Sequence, residues 1–503
     1  MQNYVLGIDV GTGGTRAVLV DRDGVIASSA TAEHVAIASP KIGWAEQDPE
    51  DWFQATGSAI RQAISAAHVS ANDISAVGLA GQMHGAVLLG ENDRVLRPSL
   101  IWCDQRTQAQ CDWLNAKLGE QRIIQLSCNP ALTNFTLTKL LWVRDNEPEI
   151  WRQFRRVLLP KDYVRLRLTG EHATDVADAS GTLMLDVAHR RWSQEMMEAA
   201  RLPMSCLPQL YESPEVCARI SEAGAAHTGL KSGTPVVAGA GDQAAGAVGM
   251  GIVRAGAVSA TIGTSGVVFA ATDNPSMDAQ GRVHTFCHAV PGRWHVMGVT
   301  QAAGLSFRWL RDLVRTASGS LSYVELTREA ESIPAGSDGV LWAPYLMGER
   351  TPYLDPNARG TLTGLAASHT RGHVTRAILE GVAFSLKDTF SLFEEMRVPV
   401  GNIRLGGGGA RSALWRQIQA DVYGHAVEIL TAEEGAAYGA ALLAGVGGGF
   451  WKSVEEACDA VVKVKEQVSP DVAATRVLQK QYGNYRQIYP ALKQLFSNMS
   501  MSG

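Results

Sequence analysis

The stretch YVLGIDVGTGGTRAVLVDRDGV at residues 4–25 decides how the chain begins to fold. Tyr4–Asp9 is an apolar run ending on a carboxylate, and a glycine-rich turn separates it from a second apolar run, Arg16–Val20. Asp21–Gly24 then turns the chain into a third run that opens at Val25. Such runs, punctuated by Gly and Asp, predict a three-stranded β-meander. A helix is expected from Asp48, because Asp48 can cap free N–H groups, Pro49 suits the first turn, and Trp52, Ala55, Ala59, Ile60 and Ala63 recur at helical spacing. Ile74–Ala80 reads as a buried strand ending at GQMHG. Strands followed by helices, with glycines at the strand ends, indicate an α/β architecture that binds ligands beyond the carboxyl ends of its strands.

The same order returns in mid-chain. Ala257–Ile262 is β-like, Gly263-Thr264-Ser265-Gly266 turns, and Val267–Ala271 is a second apolar run. The echo suggests a duplicated fold. Further on come the strand Ile403–Leu405, the glycine run Gly406–Gly409, helical patterns over 411–423 and 433–446, and helical tails from 452 onward. The boundary between the halves is placed near 247–256, giving two domains at 1–250 and 251–503.

Composition limits what such a chain does. Its 503 residues suggest, by length alone, more than two globular units, and 46% hydrophobic with 19% charged residues argues against a disordered or coiled-coil chain. A formal charge of −5 disfavours a surface that wraps nucleic acid. Seven scattered cysteines without a C-x-x-C suggest neither a disulfide framework nor a zinc knuckle, and they fit a reducing cytoplasm. Asp9 interrupts the only apolar stretch at the N-terminus, so no signal peptide is expected. The long uncharged runs 255–272 and 435–451 are too rich in small residues for good membrane spans, and a soluble protein is expected.

Asp9-Val-Gly-Thr12-Gly13-Gly-Thr15 places a carboxylate at a strand end before a turn whose N–H groups can face a phosphate, with the carboxylate holding a hydrated Mg²⁺. An ordinary hairpin turn is the competing reading. No P-loop occurs, and no G-x-G-x-x-G follows the first strand, so nucleotide binding needs another geometry. The turns at Gly263 and Gly406–Gly409 each follow a predicted strand. In VVAGAGDQAAGAVG, residues 236–249, Asp242 is the sole acid, suited either to accept a proton from a substrate hydroxyl or to cap a helix. His84 is either a sugar ligand or a structural hydrogen-bonder. His284, His288 and His295 lack the acidic or cysteine support expected of a metal site.

Together these turns resemble the actin-like ATPase superfamily and, within it, the FGGY carbohydrate kinases, over nearly the whole chain. Asp9-Val-Gly-Thr looks like the first phosphate motif, Gly263-Thr-Ser-Gly like the second, Gly407–Ala410 like the adenosine motif, and Glu434–Ala444 like a connecting helix. The downstream family signature runs from Gly360-Thr-Leu-Thr-Gly364-Leu365 through His373-Val374 to Glu380. The upstream one, around Thr136, Lys139, Trp142 and Asp145-Asn146, departs at Asn134, where an aromatic, Met, Gly or Ser is usual. Gln82-Met83-His84, Trp44–Pro49, Leu159–Tyr163 and Gly348–Pro352 resemble the pentulose kinases of the family. Gln243 stands where those kinases often have Asn.

The resemblance implies two ribonuclease-H-like domains that clamp ATP and a sugar between them. It also implies ATP-dependent phosphorylation of a pentulose, D-xylulose foremost, with ribulose, a pentitol or gluconate as alternatives. Carried over position by position, it makes Asp242 the general base and Asp9 the residue near Mg²⁺. Met83, His84, Asp242 and Gln243 become sugar contacts, and Thr12, Gly13, Thr15, Gly263, Thr264, Gly408 and Gly409 surround ATP. A small sugar is the expected partner, with neither nucleic acid nor membrane, and a homodimer is left open. A non-catalytic, sugar-responsive regulator is the reading from another class; it would carry a helix-turn-helix, for which Asp9 comes too early.

Overall fold

The opening stretch does form a hairpin-linked meander. The structure, a computed structural model describing residues 3–315, 321–431 and 435–500, begins with β1 (Tyr4–Val10), β2 (Gly14–Asp21) and β3 (Ile26–Glu33). Helix α1 (Pro49–Ala67) follows, with Asp48 Oδ1 accepting from the Glu50 amide at 2.9 Å and the apolar face of Trp52, Ala55, Ala59, Ile60 and Ala63 buried. The first half continues with β4 (Ile74–Gly81), α2 (Thr136–Asn146), α3 (Pro160–Thr169), β5 (Val216–Arg219), β6 (Pro235–Val237), β7 (Ala240–Gly241) and α4 (Asp242–Gly249). Its seven-stranded sheet has the order β5-β6-β4-β1-β2-β3, with β7 pairing alongside β4. β1 and β4 are parallel, and Asp9 lies in register with Ala80 on β4 and Arg16 on β2.

The second half repeats this plan. It contains β8 (Gly256–Ile262), β9 (Gly266–Thr272), β10 (His284–Cys287), β11 (Trp294–Thr300), α5 (Ala303–Leu313), α6 (Tyr323–Glu331), α7 (Arg371–Glu395), β12 (Val400–Gly407), α8 (Ala413–Tyr423), β13 (Val427–Leu430), α9 (Gly435–Gly447), β14 (Val464–Val468) and α10 (Val472–Ser500). The order β10-β11-β9-β8-β12-β13-β14 again joins an antiparallel meander to parallel strands through its first strand. The mixed α/β fold with two such sheets is the one expected of the actin-like architecture. The helical pattern at 433–446 appears as α9, with Glu433 and Glu434 outside the described residues. The helical tail expected from 452 is interrupted: β14 pairs antiparallel with β13 before α10 begins. Its exposed Val464-Lys-Glu-Gln-Val468 has little apolar alternation, and pairing with a sheet edge, not local pattern, makes it a strand.

The halves are joined by more than their linker. α9 belongs to the second half in sequence yet lies on the first sheet and against α4. The approach is backbone to backbone, since a Cβ on Gly439 would lie 1.8 Å from the Ala245 carbonyl oxygen and one on Gly7 1.9 Å from that of Ala437. Only glycine admits helices at this distance. Ala244, Ala245 and Val248 of α4 share a buried apolar cluster with Val5 and Ala80 of the sheet and Ala437, Ala440 and Ala441 of α9. This seam sets the carboxyl ends of β1 and β7 opposite those of β8 and β12. Among the described residues no helix is long and apolar enough to cross a membrane.

Candidate active site

Asp9 is the penultimate residue of β1, just before the backbone turns sharply, with the Gly11 amide donating to the Gly14 carbonyl at 3.1 Å. Side chains brace this turn from behind: Gln47 donates to the Thr12 carbonyl at 2.8 Å and Trp102 Nε1 to Thr12 Oγ1 at 2.9 Å. Gly13 is exposed at the tip, open to an incoming group. Thr15 differs from its neighbours, being fully buried with its hydroxyl hydrogen-bonded to His34 at 2.9 Å, so its side chain faces away from the cleft.

Asp242 is the first residue of α4, beyond the cap position held by Gly241. It therefore does not serve as the helix cap, and its carboxylate sits where the helix dipole favours negative charge. Asp9, Asp242 and Gln243 line one cavity of about 420 Å³, whose other wall carries Thr261 and Gly407 from the second half. Burial raises Asp242 to about 6, opposed by hydrogen bonds from the Gln243 backbone and side chain. Burial raises Asp9 further, to about 7, with the charge of Asp242 adding to it and Arg16 opposing. Asp9 Oδ1 is buried without a hydrogen-bond partner. Two neighbouring carboxylates with one unsatisfied oxygen suit a hydrated divalent cation with oxygen ligands.

A second cavity of about 730 Å³ adjoins the first and is lined by Gly263, Thr264, Tyr323, Gly408, Arg411 and Trp415 among others. Its size and mixed apolar and polar walls suit a nucleotide. The carbonyls of Gly263 and Thr264 accept from the Gly304 and Leu305 amides at 2.9 and 3.1 Å, which ties this turn to the start of α5. Gly407 has a positive φ of 71°, and a Cβ there would lie 2.6 Å from the Ile262 carbonyl oxygen, so the two glycine-rich turns touch through their backbones. Gly409 packs as closely on the Ile262 side chain. Arg411 lines both cavities and carries positive charge from one to the other. It stands two residues after the glycine run, but nothing in a lone Arg after a turn distinguishes it from a surface residue.

Met83 and His84 follow β4. His84 adopts a left-handed backbone, φ 67°, held by hydrogen bonds to its carbonyl from Lys139 Nζ at 2.8 Å and Thr136 Oγ1 at 3.2 Å. Its Nδ1 lies 2.7 Å from the Gly181 carbonyl oxygen. A carbonyl only accepts, so Nδ1 carries the proton and Nε2 is a free acceptor. Burial lowers the ring to about 3, helped by Lys139 and Arg350, and the imidazole stays neutral. Lys139 is fully buried, which lowers it to about 7, and it also donates to the Asn134 carbonyl at 2.7 Å. Met83 connects this group to Asp242: a Cβ on Gly241 would lie 2.8 Å from Met83 Cγ.

The loop bearing Gly181 is anchored by a buried ionic cluster that the motif Leu159–Tyr163 foreshadowed only in part. Lys161 Nζ lies 2.6 Å from Asp162 and Asp175 and 3.3 Å from Asp178, while Arg165 lies 2.6 Å from Asp162. Burial, together with Asp175 and Asp162, holds Asp178 well above the usual carboxylate range. The histidines at 284, 288 and 295 form no metal centre: His284 is bonded to Asn129 Oδ1, His288 to the Ile252 carbonyl, and His295 stacks on Phe269. Among the described residues no group of three or more His, Cys, Asp or Glu is placed to hold a metal ion.

The chain matches the model of the FGGY family of carbohydrate kinases, N-terminal domain, over residues 4–249 and its C-terminal domain over 258–448. It is 40% identical over 493 residues to the xylulose kinase of Escherichia coli (strain K12), covering 98% of this chain and 100% of that one. With the xylulose kinase of Bacillus subtilis (strain 168) the identity is 38% over 492 residues, 98% of each. Among solved structures, one described as a xyloylose kinase from Brucella ovis superposes with a TM-score of 0.90 at 37% identity, covering 98% of this chain and all of that one.

Proposed function

Because this chain belongs to the FGGY family of carbohydrate kinases, it is a sugar kinase that uses ATP, and we propose that its acceptor is D-xylulose, converted to D-xylulose 5-phosphate. The observation that carries the assignment of roles is the sharing of one cavity by Asp9, Asp242 and the Gly407 turn, with Arg411 opening it to the nucleotide-sized cavity. The choice of sugar rests on relatives named xylulose kinase that cover essentially the whole chain.

Residues 1–250 form the domain that holds the sugar and the base, and 251–503 the domain that holds ATP. The adenosine end of ATP occupies the larger cavity between α6 and α8, and its phosphates run along the Gly263-Thr264 and Gly408-Gly409 turns toward Thr12 and Gly13. Asp9 is the residue that holds hydrated Mg²⁺, and the ion when bound supplies positive charge for the phosphate oxygens. Met83, His84 and Gln243 position the pentulose so that its terminal hydroxyl meets Asp242. The carboxylate, ionised above about pH 6, accepts the hydroxyl proton as the oxygen attacks the γ-phosphorus, and ADP leaves. Positioning and electrostatics do most of the work in such transfers. Closure of the halves about the α4–α9 seam excludes water as a competing acceptor.

The test is ADP release by the purified protein with MgATP and a panel of D-xylulose, D-ribulose, xylitol and gluconate. The expected result is the highest kcat/KM with D-xylulose and little ADP release without sugar. A higher value for another acceptor would replace the substrate, and sugar-independent ADP release would overturn the coupling.

A further inference from the structure

Gly348-Glu-Arg350-Thr-Pro352 belongs to the second half, yet its arginine faces the sugar contacts of the first. Both neighbours of Arg350 are pinned to the end of β11. Glu349 accepts from Thr300 Oγ1 at 2.6 Å and the Gln301 amide at 3.0 Å, and the Thr351 amide donates to the Val299 carbonyl at 3.0 Å. Thr351 Oγ1 also donates to the Arg282 carbonyl at 2.9 Å, which sets the loop beside the strand that carries His284. His284 stacks on Phe286 with centroids 5.5 Å apart, and Phe135 meets His284 edge-on at 5.9 Å and His84 at 4.9 Å. Arg350 thus lies close to this aromatic cluster, near enough that its charge disfavours protonation of both His84 and His284.

Among the described residues the Arg350 guanidinium makes no hydrogen bond and no ion pair; only its backbone is bonded, the amide donating to Glu349 and the carbonyl accepting from the Leu354 amide. Its five donors are not among the fully buried unpartnered atoms, so they are reachable from the cleft and can turn from water to a ligand oxygen. Across the cleft His84 Nε2 offers only an acceptor. An acceptor from one half facing donors from the other matches a hydroxyl beside a carbonyl, because the hydroxyl donates to Nε2 while the carbonyl oxygen, which cannot donate, accepts from the guanidinium.

We propose that Arg350 is a specificity-determining substrate contact that receives the C2 carbonyl oxygen of an open-chain 2-ketose. The proposal rests on the reading of Asp242 as the base, which puts the phosphorylated end of the sugar at the Asp9–Asp242 cavity and the ketone end at His84. An alditol bears a hydroxyl at C2 and gains less from a site made only of donors. The contact also makes sugar binding span both halves.

The experiment compares D-xylulose with xylitol, its C2-reduced counterpart, in wild type, Arg350→Met and Arg350→Lys, by calorimetric Kd and by kcat/KM. The methionine variant is expected to lose about 10- to 100-fold for D-xylulose, the range for a hydrogen bond to a charged group, but about threefold or less for xylitol. Lysine, keeping the charge without the fork, should restore part of the ketose preference. ATP affinity and the unfolding midpoint are read on the same samples, and both should match wild type. Equal losses for ketose and alditol, or a wild type that binds the two equally, would overturn the proposal. If the wild type instead turns over another 2-ketose, the D-xylulose assignment falls while Arg350 is judged on that ketose and its alditol. An alditol as the best wild-type substrate would sink both.

Discussion

His84 Nδ1 lies 2.7 Å from the carbonyl oxygen of Gly181, a contact across 97 residues of sequence. It assigns the ring's proton to Nδ1 and leaves Nε2 as an acceptor. A Cβ on Gly181 would lie 2.7 Å from that nitrogen, so only glycine permits the arrangement.

His84→Ala should lower kcat/KM for D-xylulose more than for its epimer D-ribulose, because an acceptor of fixed direction satisfies a hydroxyl of one configuration better. Equal losses for both pentuloses would remove His84 from specificity. Since the ring sits near a pKa of about 3, the ratio of the two kcat/KM values should stay flat between pH 5 and 8.

Asp242→Asn retains shape without basicity. Turnover should fall by about 10²–10⁴-fold, with sugar and ATP dissociation constants near wild type by calorimetry. In wild type at saturating Mg²⁺, which keeps Asp9 ionised, log kcat/KM should decline as pH drops below about 6. A profile that keeps its value down to pH 5 would exclude Asp242 as the titrating base.

Asp9→Asn should stabilise the fold while impairing catalysis. The folded state holds the Asp9 proton more tightly than the unfolded chain, whose value is near 3.8. Ionisation therefore costs stability progressively as pH rises from about 4 to about 7, and the full cost is present above that. Removing the charge should return about 1–3 kcal/mol at neutral pH, an amount discounted for the partial solvent access of the cleft. The gain should vanish near pH 4. Urea unfolding at the two pH values checks the sign, and a magnesium titration of activity should shift to higher concentration.

Gly439→Ala tests the seam. Its new Cβ would meet the Ala245 carbonyl oxygen at 1.8 Å, so α4 and α9 must separate, at a cost of about 1–3 kcal/mol or more. An unchanged unfolding midpoint would contradict the packing described.

Local chemistry alone determined much of this protein. The meander at 4–33, the helix capped by Asp48, the buried strand before GQMHG and the repeated strand–turn–strand follow from residue spacing, since turns and amphipathic faces are set by near neighbours in the chain. The carboxylates at 9 and 242 and the three glycine-rich turns were legible for the same reason. Tertiary structure decided what depends on distant partners. Thr15, in the same motif as Thr12, turns inward to His34. Val464–Val468 becomes a strand because β13 offers an edge. Asp9 titrates near 7 because burial removes its water and Asp242 lies beside it. Arg350 comes near His84 because its loop is pinned to the end of β11 beside β10. Tautomer, acidity and cross-cleft contact are properties of through-space electrostatics and desolvation, which exist only once the two halves of the chain have packed together.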